Sequence, residues 1–280
     1  MPHPFIFFGS PEFAKDILIR LIDAGFIPSA LVCNPDKPFG RKKIITPPPT
    51  KRLILEKGLD VPIFQPSNKQ ELLELKENNL INQSDFAIVA AYSRIIPKEI
   101  IEIFKKGVLG VHPSLLPHHR GASPIQTTIL EGGSKTGTSI YLLDDLMDHG
   151  PVFIQRSIDI GETENYLSLE SRLAQLSADG LISILPLFIE GKMTPSPQDE
   201  SLATFTKKFA TEDGLVDLEK ENPQIIAQKI RALNPDPGVY SLINGKRIKL
   251  LEVQKIDDKL VITKTQTEGK KPIESRMAIG

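Results

Sequence analysis

The sequence of 280 residues has a single cysteine and no long apolar stretch. Cys33 cannot form an internal disulfide, and one thiol cannot build a thiolate metal cage. The longest uninterrupted apolar run spans a few residues, whereas a membrane-spanning helix needs about 20. The first residues also lack the charged start and the small-residue cleavage site of a secretory signal. We therefore expect a protein of the reducing cytoplasm with no membrane partner.

An excess of charge of one sign is absent as well. The 34 basic and 35 acidic side chains give a net charge of −1, which does not by itself indicate a nucleic-acid binder. The charge is uneven, because residues 206–280 carry a net +3 and residues 1–205 a net −4. This small basic excess is a weak indication of a polyanionic partner. The hydrophobic content of 40% is ordinary for a globular protein.

The first half of the chain alternates short apolar segments with segments of helical spacing. The apolar segments at 5–8, 30–33 and 86–91 predict strands, and the last is apolar throughout, as in a strand buried on both faces. A helix is predicted after the first strand, with Ser10 as its N-cap and Pro11 at its first position. Strands that alternate with helices indicate an α/β fold with a mostly parallel, Rossmann-like sheet.

Two segments interrupt this pattern. Residues 34–49 contain five prolines, and a loop of this length without periodicity is typical of a functional or disordered segment. Residues 191–205 are polar and predict a linker between a catalytic domain, 1–190, and a second domain, 206–280. In the second domain, alternating apolar and polar residues around Asn244-Gly245 predict antiparallel strands joined by a hairpin turn.

Two polar clusters follow predicted strands in the catalytic domain. His112 comes directly after the strand at 108–111, and ligands of open α/β sheets bind outside the carboxyl ends of strands. Asp148 lies in a second cluster, which leads into the turn Gly150-Pro151. An aspartate within reach of an imidazole orients it and stabilises the imidazolium. These clusters predict a His112–Asp148 pair that transfers protons, and a plain turn aspartate is the alternative for Asp148.

The same region also suggests a metal-dependent hydrolase as an alternative. Four of the five histidines lie with Asp148 within 38 residues, and such side chains can ligate zinc. No pair of these residues has the spacing of two ligands on one helix face, so we expect no metal. The four histidines are His112, His118, His119 and His149.

Further motifs extend over nearly the whole chain. They are Gly-Ser-Pro-Glu-Phe-Ala (9–14), Asn-Pro-Asp-Lys-Pro with Gly-Arg-Lys-Lys (34–43), Phe-Gln-Pro (64–66), Ala-Ala-Tyr-Ser-Arg-Ile-Ile-Pro (90–97), Val-His-Pro-Ser-Leu-Leu-Pro with Arg-Gly (111–121), Asp-His-Gly-Pro (148–151), Ile-Arg-Ala-Leu-Asn-Pro (230–235) and Glu-Gly-Lys-Lys-Pro (268–272). In these motifs the chain resembles the methionyl-tRNA formyltransferases, which belong to the 10-formyltetrahydrofolate-dependent transferases. The basic proline-rich loop and the C-terminal motifs favour the tRNA enzymes among them.

The resemblance implies a Rossmann-like catalytic domain joined to an OB-like C-terminal domain that binds tRNA. It implies transfer of a formyl group from 10-formyltetrahydrofolate to the α-amino group of methionine on initiator tRNA, in translation initiation. The family's catalytic trio is an asparagine, a histidine two residues later and the aspartate of the Asp-x-Gly turn. His112 and Asp148 match this trio, whereas Gly110 stands at the position of the asparagine.

The glycine bears on activity, because the family's asparagine donates a hydrogen bond to the oxyanion that forms during transfer. Loss of one such donor typically lowers turnover by about 10²–10³. We therefore expect reduced or lost activity, and a gain of roughly 10² in Gly110→Asn. The alternatives are that Gln126, His118 or a water molecule supplies the donor, or that the protein is a catalytically silent tRNA-binding homologue. An engineered glycine is a further alternative.

The resemblance also implies two binding surfaces. The folate surface is implied for the segments after two strands and for the loop that carries Asp148, namely Ala90, Ala91, Tyr92, Ser93, Arg94, Ile95, Pro97, Ser114, Leu115, Leu116, Pro117, Leu143, Asp144 and Asp148. Basic residues implied to contact tRNA phosphates are Arg41, Lys42, Lys43, Lys207, Lys208 and Arg247. We expect a monomer. An N-formyltransferase acting on an amino sugar nucleotide is the alternative enzyme, since it shares the donor, the histidine and the aspartate.

Overall fold

The computed structural model describes residues 3–40 and 42–279. A seven-stranded sheet forms the core of the larger, N-terminal part of the chain. The strands, in chain order, are β1 (Phe5–Phe8), β2 (Ala30–Val32), β3 (Lys37–Phe39), β4 (Ile44–Thr46), β5 (Ile63–Phe64), β6 (Phe86–Ala90), β7 (Val108–His112), β8 (Arg120–Gly121), β9 (Lys135–Leu142), β10 (Val152–Asp159), β11 (Phe205–Thr206), β12 (Tyr240–Ile243), β13 (Lys246–Ile256), β14 (Lys259–Thr267) and β15 (Ile273–Ile279). The α-helices are α1 (Glu12–Asp23), α2 (Pro49–Glu56), α3 (Lys69–Glu74), α4 (Asn79–Asn82), α5 (Lys98–Ile101), α6 (Pro124–Leu130), α7 (Tyr166–Ile189) and α8 (Pro223–Leu233).

The order of the large sheet creates the point at which a site can form. The strands lie in the order β10-β9-β7-β6-β1-β2-β5. From β7 to β5 all neighbours are parallel, whereas β9 runs antiparallel to β7. The chain proceeds from β1 outward to β5 and then returns to β6 on the other side of β1. The carboxyl ends of β1 and β6 therefore flank a topological switch point, where ligands of open α/β sheets bind.

The central strands form because their residues are apolar on both faces. The rings of Phe5 and Phe86 stack with centroids 5.2 Å apart across the β1–β6 pair. All four residues of β1 are buried, as are Phe13, Ile17 and Leu21 on the inner face of α1. The predicted α/β class and the mostly parallel sheet are confirmed.

Helix α7 is long and apolar enough, by length and composition alone, to cross a membrane. Half of its most hydrophobic window is buried inside the structure. Near its end, the ring of Phe188 packs edge-on against both Phe86 and Phe153, with centroids 5.4 Å apart in each pair. These contacts are those of a helix that covers a sheet.

A four-stranded antiparallel sheet, β12-β13-β14-β15, forms the C-terminal part of the chain. Asn244 and Gly245 join β12 to β13 with φ values of 50° and 72°, which is the left-handed backbone that a two-residue hairpin requires. Ile226, Ile230 and Leu233 of α8 are buried. The predicted β-rich C-terminal part and its hairpin are confirmed, and β15 is a strand that the sequence pattern did not predict.

The structure corrects two local predictions. Residues 34–49 are not a loop without regular structure, because β3 and β4 pair as a short antiparallel hairpin within them. Pro11, not Ser10, occupies the N-cap position of α1. The Ser10 hydroxyl instead accepts a hydrogen bond from the backbone N–H of Asn34 at 2.9 Å.

The chain separates into two compact units. The first comprises the residues up to Arg120 with Gly137–Ser157 and Ser171–Thr204, and the second comprises Gly121–Thr136, Ile158–Glu170 and the residues from Phe205 onward. Residues 191–204, within the expected linker, thus belong to the first unit. The domain boundaries 1–190, 191–205 and 206–280 stay a prediction.

Candidate active site

His112 is the last residue of β7 and is 6% exposed. Its Nε2 lies 2.8 Å from the backbone carbonyl oxygen of His119. A carbonyl oxygen can only accept a hydrogen bond, so Nε2 carries a hydrogen in this arrangement. Nδ1 is therefore the ring nitrogen that can exchange a proton.

Asp148 lies beside that nitrogen. Its Oδ2 is 3.6 Å from His112 Nδ1, which is within the range of an ion pair and longer than a hydrogen bond. The Asp148 backbone has a φ of 51°, a left-handed conformation uncommon outside glycine. The structure thus brings together the two residues proposed from the sequence, and their catalytic roles stay a prediction.

The Asp148 loop, residues 143–151, reaches His112 by folding back along the sheet. Because β9 is antiparallel to β7, its last residue, Leu142, is the partner of Leu109, while His112 is the partner of Ser139. The loop therefore leaves β9 beside the start of β7, at the opposite end of that strand from His112. A Cβ on Gly150 would overlap the carbonyl oxygen of Leu142, so only glycine permits this close return.

Tyr141 holds the other oxygen of the Asp148 carboxylate. The Tyr141 hydroxyl donates a hydrogen bond of 2.6 Å to Asp148 Oδ1. Burial, reinforced by the negative charge of Asp148, raises the pKa of the Tyr141 phenol well above its usual range. The phenol is therefore protonated and able to donate. Sequence reasoning missed Tyr141, because in the sequence it is one residue within a predicted strand and stands in no motif.

A second set of side chains holds the backbone of the Asp148 loop. Gln198 Nε2 donates to the carbonyl oxygens of Asp148 and Gly150 at 2.9 and 2.8 Å. Gln198 Oε1 accepts from Arg120 Nε and Nη2. Arg120 is 2% exposed and forms a two-pronged ion pair with Glu200 at 2.6 and 2.9 Å. The hydrogen bond from Arg120 lowers the pKa of the Glu200 carboxyl.

Gln198 and Glu200 lie in the segment that the sequence predicted as a linker. Its polar composition is the only local signal, and polar composition is equally typical of an exposed connection. Nothing in their spacing indicates that they reach residues 50 and 80 positions earlier in the chain. Both residues therefore escaped sequence reasoning.

The residues expected to bind folate lie partly at the switch point. Ala90 ends β6, Ala91 follows with a φ of 46°, and Tyr92 packs edge-on against Phe8 of β1 with centroids 5.6 Å apart. The Ser93 hydroxyl donates to Asn34 Oδ1 at 2.9 Å. Arg94 is half-buried, Ile95 is 91% exposed, and Pro97 precedes α5 as its N-cap.

The second expected folate segment, residues 114–117, is held by the neighbouring strands. The Ser139 hydroxyl donates to the carbonyl oxygen of Ser114 at 2.7 Å and accepts from the N–H of Leu116 at 3.0 Å. Gln155 donates to the carbonyl oxygen of Leu116 at 2.7 Å. Leu115 and Pro117, within this segment, are half-buried.

The two remaining expected folate residues lie in the Asp148 loop. Leu143 Cδ1 lies against Gly110. Asp144 Oδ2 accepts a hydrogen bond of 2.6 Å from Nδ1 of His149. Asp144 is therefore hydrogen-bonded to a histidine of the same loop.

The expected tRNA contacts lie in both units. Lys42 and Lys43 are exposed in the turn between β3 and β4, and Arg41 lies outside the described residues. Lys208 is exposed, and Lys207 forms an ion pair with Asp213. The Arg247 guanidinium stacks on the ring of Tyr240 at 3.7 Å.

A metal centre was the other interpretation of the histidine cluster. Over residues 3–40 and 42–279, no group of three or more histidine, cysteine or acidic side chains is arranged to hold a metal ion. His112 contacts the carbonyl oxygen of His119 and the carboxylate of Asp148, and His149 contacts the carboxylates of Asp144 and Glu200, the latter with Nε2 3.6 Å from Oε1.

Comparison with known proteins identifies the family. Residues 4–185 match the sequence profile of the formyl transferase family, and residues 208–260 match that of the formyl transferase C-terminal domain. The chain belongs to the formyl transferase family. It is 36% identical over 250 residues to the methionyl-tRNA formyltransferase of Bacillus licheniformis, an alignment that covers 89% of this chain and 78% of that protein.

Solved structures show the same fold. The formyl transferase chain aligns with the methionyl-tRNA formyltransferase of Clostridium thermocellum with a TM-score of 0.61 and 19% identity, covering 97% of this chain and 99% of the other. It also aligns with HypX of Aquifex aeolicus in complex with tetrahydrofolic acid, with a TM-score of 0.69 and 17% identity, covering 99% of this chain and 46% of HypX.

Proposed function

We propose that this protein transfers the formyl group of 10-formyltetrahydrofolate to the α-amino group of methionine on initiator tRNA. The observation that carries the proposal is the His112–Asp148 pair at the end of β7, in a chain that belongs to the formyl transferase family. Relatives such as that of Bacillus licheniformis, 36% identical over 89% of this chain, are methionyl-tRNA formyltransferases. The similarity extends into the C-terminal domain, which supports the tRNA as acceptor.

In this proposal His112 handles the proton of the reaction. Nε2 is committed to the carbonyl oxygen of His119, so the proton lost by the attacking amine passes to Nδ1. Nδ1 then returns this proton to N10 of the folate as the bond between the formyl carbon and N10 breaks, which releases tetrahydrofolate. The imidazolium that results lies 3.6 Å from the Asp148 carboxylate, which balances its charge. Asp148 can balance this charge while it keeps its hydrogen bond to Tyr141, because Oδ1 accepts from the Tyr141 hydroxyl and Oδ2 faces His112.

The residues at the switch point fit a folate. The hydroxyl oxygen of Tyr92 and Nε of Arg94 are buried and have no hydrogen-bond partner among the described residues. Buried polar atoms are rarely left unpaired, so these two atoms fit the polar edge of a bound heterocycle. A bound 10-formyltetrahydrofolate supplies the formyl group, and Tyr92, Arg94 and the Ser114–Pro117 segment hold it.

The acceptor contacts in this proposal are electrostatic. Lys42 and Lys43 present cations in the exposed turn between β3 and β4, and cations supply most of the affinity for nucleic-acid phosphates. Arg41, which precedes them in the sequence, is proposed to act with them. Lys207, Lys208 and Arg247 extend these contacts to the C-terminal domain. The protein acts as a cytoplasmic monomer without a metal ion in this scheme.

A single-turnover formyl-transfer assay with two acceptors tests the proposal. With 10-formyltetrahydrofolate as donor, we expect formylation of initiator methionyl-tRNA and none of a 4-amino sugar nucleotide. His112→Ala should remove the transfer, while His3→Ala, which changes a histidine paired with Asp85 on the surface, should not. Formylation of the sugar nucleotide alone, or binding of tRNA with no transfer at any enzyme concentration, contradicts the proposal.

A further inference from the structure

Gly110 has no side chain, yet the space that a side chain there requires is filled. Gly110 of β7 is the direct partner of Tyr141 of β9. A Cβ placed on Gly110 would lie 2.5 Å from Tyr141 Cζ and would overlap Leu143 Cδ1. Packed interiors do not tolerate such distances. The ring of Tyr141 therefore occupies the volume of the missing side chain.

The Tyr141 ring is fixed in that place at both ends. It is 6% exposed, and its hydroxyl is bonded to Asp148 Oδ1 at 2.6 Å. A displacement of the ring would break this bond and deprive a carboxylate oxygen of this donor, which is costly in a buried site. Leu143 can yield by rotating about its Cβ–Cγ bond, which moves Cδ1 away, whereas Tyr141 cannot yield freely.

The hydrogen bond also sets the direction of the Asp148 carboxylate. With Oδ1 held by the phenol, Oδ2 is the oxygen that faces His112 Nδ1, at 3.6 Å. The backbone of Asp148 is anchored separately by Gln198, and the hydrogen bond from Tyr141 restrains the rotation of the carboxylate group. A carboxylate that loses this restraint spends less of its time in the orientation that balances the imidazolium.

We propose that Gly110 and Tyr141 act as one unit, in which the glycine admits the tyrosine ring and the tyrosine hydroxyl positions Asp148 against His112. Tyr141 is a positioning residue, since it acts through Asp148. The inference rests on the proposed function for its effect on turnover. It also revises the expectation from sequence: Gly110→Asn alone displaces Tyr141 and lowers activity, where the resemblance implied a gain.

Removal of one hydroxyl group tests the positioning. Tyr141→Phe should lower kcat by 10-fold or more and leave KM for methionyl-tRNA and for folate within 2-fold. The matched control is Tyr166→Phe, because the Tyr166 hydroxyl makes an equivalent 2.6 Å hydrogen bond to the carboxylate of Glu170. The control should keep kcat. An unchanged kcat in Tyr141→Phe overturns the positioning role.

A cycle of thermal melts tests the shared volume without any activity measurement. Gly110→Asn should lower Tm by about 5 °C or more when Tyr141 is present, because it overpacks the site. In the Tyr141→Ala background the same substitution should cost little or raise Tm. If Gly110→Asn lowers Tm equally in the two backgrounds, positions 110 and 141 do not compete for space, and the proposal that they act as one unit is overturned.

A spectroscopic readout separates this inference from the proposed function. The ¹⁵N signals of the His112 ring should shift in Tyr141→Phe and not in Tyr166→Phe, since only the first removes a hydrogen bond from the carboxylate that faces Nδ1. If the parent protein formylates no acceptor while these signals and the melts behave as described, the proposed function fails and the Gly110–Tyr141 unit holds. If transfer occurs but the His112 signals do not shift, the inference fails and the proposed function holds.

Discussion

Gln198 is the side chain through which a distant segment supports the Asp148 loop, and Gln198→Glu tests that support. The substitution keeps the size of the side chain and an oxygen for Arg120. It replaces the Nε2 group, which donates to the carbonyl oxygens of Asp148 and Gly150, by an oxygen that cannot donate. Three oxygens then face one another where two hydrogen bonds existed.

The expected cost follows from these contacts. Two hydrogen bonds between neutral groups contribute about 1 kcal/mol each. A stronger bond between the introduced carboxylate and Arg120 offsets part of this loss, and the offset is limited because Arg120 already pairs with Glu200. A net loss of about 1–2 kcal/mol corresponds to a fall in Tm of roughly 2–8 °C for a chain of this size. Turnover should fall further, by about 10–100-fold, since the Asp148 backbone is no longer held in register with His112.

Single-turnover rates and thermal melts of Gln198→Glu and of Gln83→Glu measure both effects. Gln83 is exposed on the surface, so its substitution adds the same charge without disturbing the loop. The control should match the parent in Tm and in rate. A Gln198→Glu protein that transfers formyl within 2-fold of the parent rate refutes the reasoning, because the Asp148 loop would then hold its position without Gln198.

Three further predictions concern separate parts of the chain. Gly150→Ala should abolish formyl transfer, because a Cβ there overlaps the carbonyl oxygen of Leu142, whereas Gly161→Ala, where a Cβ meets no atom closer than 4.0 Å, should leave rate and Tm unchanged. Lys42→Ala with Lys43→Ala should weaken tRNA binding and reduce the salt dependence of log Kd by about one to two; Lys105→Ala with Lys192→Ala is the matched control, and an unchanged salt slope contradicts the hairpin contact. Burial raises the pKa of the Cys33 thiol to about 12, so native protein at pH 8 should resist iodoacetamide and unfolded protein should react; equal rates would show that Cys33 is accessible.

The elements that depend on local composition were predictable from the sequence. The apolar runs of β1 and β6 can only be buried on both faces, and the Asn244-Gly245 pair allows the left-handed backbone of a tight hairpin. The place of His112 also followed from sequence, because it ends a strand of a parallel sheet. In each case the cause lies within a few residues of the feature.

The tertiary structure decided everything that depends on which strands are neighbours. Because β9 pairs antiparallel with β7, Tyr141 lies over Gly110, and the Asp148 loop must fold back to reach His112. Gln198 meets Asp148 across 50 residues of chain, a contact that no local pattern encodes. Local propensity fixes where strands and turns form, whereas the sheet order, set by burial of the whole core, fixes which polar side chains complete the site.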